Sequence, residues 1–226
     1  MSEVHHKPAF DNAEPARRRA VIETGIDEFS TYGFENANIN IIAKKAGMSV
    51  GLMYKYFETK EDLFITCMDE AISVMDNALN EIVATDGKLM DMLEQLVRTV
   101  QRTSRENEKY LKLYNEITKL SSADAAEHYS KRIESISHKI YVDVLKNARD
   151  AGQIRSDCDL DAFTFFFDSI ITTLQFSYSC DYYKERMKVF CGEDVFDDDE
   201  KVIREIMKFL ESAFTFEHED VKKFGK

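Results

Sequence analysis

The sequence predicts an all-α protein of about nine helices, and three observations carry that expectation. Only two prolines occur in 226 residues, Pro8 and Pro15, so nothing after position 15 carries a proline helix-breaker. Apolar residues recur at i, i+3, i+4 and i+7 in one segment after another. The joints between those segments hold glycines or residues suited to capping a helix. With 44% hydrophobic residues the chain has enough apolar side chain to bury a real core.

Residues 1–14 show no periodicity and are expected to form a flexible N-terminal arm, in which His5 and His6 are tail residues rather than a metal site. The first helix is expected to begin near Pro15, a residue suited to a first turn, and to run to about Tyr32. Val21, Ile22, Gly25, Ile26 and Phe29 form its inner face, and Gly33 stops it. Asn38 is placed to cap a short helix over Ile39–Ala46, whose Ile39, Ile42, Ala43 and Ala46 share one side. Gly47 ends it, and only Met48 separates that glycine from Ser49, which can cap a second short helix over Val50–Phe57 with Met53 and Phe57 inward. Two short helices joined by a tight glycine turn are a helix-turn-helix pattern.

Thr59 and Asp62 then make a capping box, opening a long helix over Lys60 to about Val83. Asp86 and Gly87 break it, and helical segments follow at about 88–104 and 107–120, with Ser121 and Ser122 marking the next break. A long helix at 124–150 ends at Ala151 and Gly152, and another at 159–183 carries Phe163, Phe166, Phe167, Ile170, Ile171, Leu174 and Tyr178. The stretch 184–196 reads as irregular, and Asp197 caps a last helix to about 215. The domain reading is thus an arm at 1–14, a helix-turn-helix domain at 15–62 and a larger helical bundle at 63–226.

Composition excludes several classes. Cys67, Cys158, Cys180 and Cys191 are scattered without the spacing of a zinc site or a disulfide framework, and no structural metal or cofactor is expected. The acidic run Asp197–Glu200 lacks the order of a calcium loop. No P-loop, G-x-S-x-G, H-E-x-x-H or Glu-x-x-His pair gives catalysis a starting residue, so the chain is not expected to be an enzyme. No apolar stretch approaches membrane-spanning length and the N-terminus lacks a signal-peptide core, so a cytoplasmic location is expected. The net charge of -12 opposes nucleic-acid binding only on average. Residues 17–60 hold seven Lys and Arg against five acids, a local +2.

The segment Gly33 to Leu63, GFENANINIIAKKAGMSVGLMYKYFETKEDL, is the most specific in the chain. It resembles the DNA-binding domain of the TetR (tetracycline repressor) family, in a glycine-aromatic turn, an I-A-x-x-A-G second helix, an S-x-G-x-x-Y-x-Y/H-F third helix and an S/T-K-E-x-L start to the fourth. The matching residues are Gly33, Phe34, Ile42, Ala43, Ala46, Gly47, Ser49, Gly51, Tyr54, Tyr56, Phe57, Thr59, Lys60, Glu61 and Leu63, in order and without a gap. Val50 and Leu52 depart from it, standing where many members carry Lys and Thr.

On this reading Ser49, Tyr54, Tyr56 and Lys60 offer hydroxyls and a charge to phosphate oxygens around one short helix. Gly51 lets that helix approach the floor of the major groove, and Val50 and Leu52 leave base readout to methyl contact. Asn38, Lys55, Arg17 and Arg18 complete the expected DNA-binding set, with Lys44 and Lys45 adding attraction.

The resemblance implies a repressor that binds a double-stranded, palindromic operator as a homodimer. It implies a ligand cavity among helices five to seven with part of helix four, and a dimer interface on helices eight and nine. Met68, Met75, Met90, Met92, Tyr110, Tyr114, Phe163, Phe166 and Phe176 are the expected lining of a pocket for a largely apolar small-molecule effector, ordinary core filling being the alternative for each. The long helix from Lys60 joins both regions and is the expected transmitter. Two other readings stay open: a DNA-binding regulator answering to a protein partner, and a helical small-molecule carrier without DNA binding.

Overall fold

The computed structural model describes residues 5–83, 88–118 and 123–215. Among these the regular structure is helical throughout, in α1 (Pro8–Asp11), α2 (Pro15–Asn36), α3 (Ile39–Lys45), α4 (Val50–Tyr56), α5 (Lys60–Val83), α6 (Leu89–Glu106), α7 (Glu108–Ile117), α8 (Ala123–Asp150), α9 (Leu160–Ser179), α10 (Asp181–Cys191) and α11 (Asp199–Thr215). The count is therefore eleven among the described residues, against about nine expected. The breaks read at Asp86–Gly87 and Ser121–Ser122 lie outside the described residues.

The two additional helices have physical causes that apolar periodicity does not register. The helix expected over 159–183 is interrupted at Cys180, whose φ of -108° and ψ of 129° are extended. Apolar side chains at Phe176, Cys180 and Tyr183 continue the spacing straight through the break. The chain restarts as α10 within the stretch expected to be irregular, and α10 buries none of its own residues. At the other end, residues 7–13 are not a free arm, because Phe10 in α1 is buried.

The chain divides into two compact units, one of Met1–Met75 with Asn107–Ala126, the other of Asp76–Glu106 with Glu127–Lys226. This differs from the division at 62/63 read from the sequence, since the boundary falls within α5 and α7 belongs with the first unit. In that unit Val21, Phe29, Ile42, Ala43, Met53, Phe57, Leu63, Phe64 and Leu113 are fully buried. Phe29 and Phe34 each set a ring against Phe64 at 5.1 Å. Each fully buried aromatic of this kind stabilises by about 1.5–3 kcal/mol. Gly25 permits a close approach of α2 and α5, since a Cβ there would lie 2.7 Å from the Cys67 Sγ.

The second unit is built on Leu93, Leu96, Val97 and Val100 of α6, Tyr141 and Leu145 of α8, Phe167, Ile171 and Leu174 of α9, and Ile203, Leu210 and Phe214 of α11. Two arginines on α6 clasp the first turn of α11: Arg98 holds Glu200 and Arg105 holds Asp199, each through paired N–H donors. Arg105 also stacks over the Tyr178 ring at 4.4 Å. Burial pushes the Tyr178 phenol up to about 12, so it stays neutral and accepts from Gln101 Nε2 at 2.8 Å.

Candidate nucleic-acid interface

The candidate interface is assembled from two caps and a turn. Asn38 accepts the Asn40 amide at 2.9 Å to open α3, and Ser49 accepts the Leu52 amide at 3.2 Å to open α4. Between them Gly47 sits at φ 69°, a left-handed conformation that lets its own N–H reach Lys44 O and the Met48 N–H reach Ala43 O. These local bonds fix the α3–α4 turn. Buried Ile39, Ile42 and Ala43 on one side and Met53 and Phe57 on the other then hold both helices to the unit.

What α4 leaves outside is the expected docking face. Gly51, Tyr54 and Lys55 are exposed, and Val50 and Leu52 are half-buried. A Cβ built on Gly51 would meet nothing in the chain within 4 Å, so packing does not require glycine there. In a seven-residue helix glycine costs about 1 kcal/mol relative to alanine. Its absence of side chain therefore opens space on the outward surface rather than solving an internal clash.

Arg17 and Arg18 are exposed in the first turns of α2, which carries no acid in its first turn. Cations oppose the dipole at that end of a helix, and the acid nearest to them in sequence is Glu14 at the N-cap. Lys44 is exposed, whereas Lys45 bonds the buried Glu28 carboxylate at 2.9 Å and ties α3 to α2. That hydrogen bond raises the Lys45 ammonium above its ordinary value.

Two residues of the expected DNA-binding set are placed otherwise. Tyr56 is 4% exposed, packed under Phe10 with ring centres 5.4 Å apart, because α1 covers the end of α4. Lys60 donates from Nζ to Glu35 O at 3.0 Å and Ala37 O at 3.4 Å, and sits 4.8 Å over the Phe34 ring. Its ammonium closes the end of α2. Glu28, Lys7, Phe10 and Glu116 shape this unit without any local sequence signal. Their partners lie 17 to 82 positions away.

The expected pocket residues do not form one set. Met68 is buried in the first unit, where Tyr110 and Tyr114 are half-buried. Met90 and Phe163 pack against the core of the second unit, Met92 is half-buried, and Phe176 is buried beside Tyr183 at 5.1 Å. Phe166 is 64% exposed, because the face of α9 that buries Phe167 and Ile171 turns Phe166 away from the core. The side chain of Met75 lies outside the described residues.

Residues 21–67 match the family described as "Bacterial regulatory proteins, tetR family". Along 72% of this chain and 80% of the relative, the sequence is 24% identical to the transcriptional repressor KstR2 of Rhodococcus jostii. Residues 21–67 are thus a TetR-family segment. The chain also shares its fold with two solved regulators. The fatty acid degradation regulator FadR of Bacillus halodurans aligns with a TM-score of 0.66 over 88% of this chain and 95% of that one, at 16% identity. FadR of Bacillus subtilis, solved in complex with stearoyl-CoA, aligns at 0.68 over 87% and 98%, also at 16% identity. The chain is a DNA-binding transcriptional regulator, and the capped α3–α4 pair within its TetR-family segment is its helix-turn-helix.

Proposed function

We propose that this TetR-family regulator is a cytoplasmic repressor that binds a palindromic operator as a homodimer and releases it when an acyl thioester occupies the second unit. The observation that carries the DNA half is the outward face of α4, where Ser49, Val50, Gly51, Leu52, Tyr54 and Lys55 follow a capped turn with no internal packing demand at Gly51. Asn38, Arg17 and Arg18 complete the contact set. Half-buried Val50 and Leu52 suit thymine methyl contact better than a hydrogen-bond code.

The effector class is supported by the likeness to a regulator solved with stearoyl-CoA and by Met90, Met92 and Phe163 along the partly buried rim of an apolar core. Methionine adapts to an acyl chain of variable shape. Exposed Phe165, Phe166 and Phe209 on α9 and α11 suit a symmetric helical interface.

Selection of duplexes from random DNA by the intact chain tests the first half, and a recovered palindrome is the expected result. Adding acyl-CoA thioesters of increasing length to the selected complex tests the second. Release must be reciprocal, so the duplex weakens thioester binding by the same factor. Equal thioester affinity for free and DNA-bound protein would remove the effector reading and leave the DNA reading intact.

A further inference from the structure

We propose that residues 5–13 form a strap that sets the orientation of the recognition helix α4, with Lys7 and Phe10 as its positioning residues. The inference rests on the DNA-binding reading only for its functional consequence. The strap precedes the segment that matches the family, residues 21–67.

A helix of seven residues is marginal by itself, and its last carbonyls have no partners within the helix. In α4, Met53 O takes the Phe57 amide at 2.9 Å. Tyr56 O takes the backbone N–H of Lys7 at 2.8 Å, and Tyr54 O takes the Lys7 Nζ at 3.2 Å. One residue nearly fifty positions upstream thus satisfies two carbonyls at the end of the recognition helix. Its ammonium is also placed where the helix dipole favours a cation.

Phe10 seals the same place. It is 3% exposed, with ring centres 5.4 Å from Tyr56, 4.9 Å from Phe57 and 5.2 Å from His6. Arg18 lies 5.9 Å from its centre, above the strap. Beyond Lys7 the chain grips α5: Thr66 Oγ1 donates to His5 O at 3.3 Å, and His5 Nδ1 stands 3.8 Å from the Asp62 carboxylate. The strap therefore holds both sides of the turn between α4 and α5. Ser49, at the opening of α4, stays exposed and outside the strap's contacts.

The geometry of Lys7 supplies a selective test. Its φ of -78° and ψ of 153° are ones proline adopts, so Lys7→Pro deletes both donors and also sets the ring Cδ against Tyr56 O, forcing the strap off the end of α4. Lys7→Met deletes the ammonium alone. Full-length Lys7→Pro, Lys7→Met, Phe10→Ala and Phe10→Leu are compared by hydrogen exchange at the amides of 54–57 and of 21–29, and by affinity for a duplex selected with the intact chain.

Lys7→Pro is expected to speed exchange at 54–57 at least about fivefold, the size of one lost hydrogen bond, and Phe10→Ala, which strips a buried ring, by more, while 21–29 hold. Duplex affinity falls by a similar factor, Lys7→Met gives a smaller change in the same direction, and Phe10→Leu restores most of both. Unchanged exchange at 54–57, or an equal rise at 21–29, overturns the strap. Faster exchange with unaltered affinity overturns its positioning role. An intact chain that retains no duplex overturns the DNA-binding reading itself, and the exchange data still decide the strap.

Discussion

The Lys60 Nζ donates to the Glu35 carbonyl at 3.0 Å, across 25 residues of sequence, and so binds the first turn of α5 to the end of α2. A lysine at the start of the fourth helix is where a phosphate contact is expected, yet here its ammonium is held by two backbone carbonyls at the end of α2. Two consequences separate these roles. Lys60→Met should lower stability by about 1 kcal/mol, the worth of a hydrogen bond. The slope of log affinity against log salt should not change, because no counterion-releasing contact is lost. Lys55→Met, at an exposed cation of α4, should reduce that slope by about 1 with little effect on melting. A lower slope for Lys60→Met, measured by fluorescence anisotropy across a salt series, would return Lys60 to the phosphate-binding set.

Gly33 and Glu116 make a second long-range joint. The Glu116 carboxylate accepts the Phe34 amide at 3.1 Å, and a Cβ on Gly33 would stand 2.7 Å from the same oxygen. Gly33 also holds φ 75°, which an L side chain adopts only with strain. Gly33→Ala should therefore cost about 1–3 kcal/mol. Adding Glu116→Ala removes the clash but not the strain, so the double mutant should recover part of the loss. Strict additivity of the two changes in a denaturation cycle would show that the residues do not meet.

How much was legible in the sequence follows from the range of each interaction. The α3–α4 pair could be read because its determinants are local: Asn38, Gly47 and Ser49 each act within five positions of themselves. The fate of Tyr56 could not be, since its cover, Phe10, lies 46 positions upstream in a segment without periodicity. Nor could the break at Cys180, where neither glycine nor proline interrupts the apolar spacing. Phe166 fell on the wrong side for a related reason. A run of three phenylalanines, Phe165 to Phe167, cannot all face one core, and periodicity alone did not say which would turn out.

Stability in the second unit should respond to pH in opposite senses at two aspartates. Burial, then the nearby Glu134 charge, raises the Asp168 carboxyl above its usual range, against the pull of hydrogen bonds from Ser137 and Thr172. A raised folded value means that stability present in acid is lost as pH rises through it. Asp168→Asn should therefore raise the melting temperature at pH 7 and have less effect near pH 4. Asp199 is lowered, first by its hydrogen bond from Arg105, so its contribution is present above the usual carboxylate range and fades as pH falls below it. Asp199→Asn should lower the melting temperature at pH 7, by less than about 1 kcal/mol in stability because the pair is solvent-screened. Thermal melts of both variants at pH 7 and pH 4 check the signs, and the same sign for both would contradict this electrostatic account.

Assembly can be tested on a single pair of aromatics, Phe163 and Phe166, one turn apart on α9. Phe163 sets its ring against Phe214 at 5.0 Å, partly buried against the core of the second unit. Phe166 is exposed and, among the described residues, set edgewise to Phe165, itself 66% exposed, at 5.7 Å. A monomer gains nothing by displaying two phenylalanines on one helix and Phe209 on another, whereas burying a phenylalanine side chain contributes about 1.5–3 kcal/mol. Phe163→Ala should thus lower thermal stability without any direct effect on subunit contact. Phe166→Asp should do the reverse, shifting sedimentation at micromolar concentration from dimer to monomer while leaving each subunit folded. Loss of the dimer must also weaken binding to a palindromic duplex far more than to a single half-site, because two recognition helices reach successive half-sites only when joined. A wild-type chain that sediments as a monomer, or a Phe166→Asp dimer indistinguishable from wild type, would place the subunit contact on some other face.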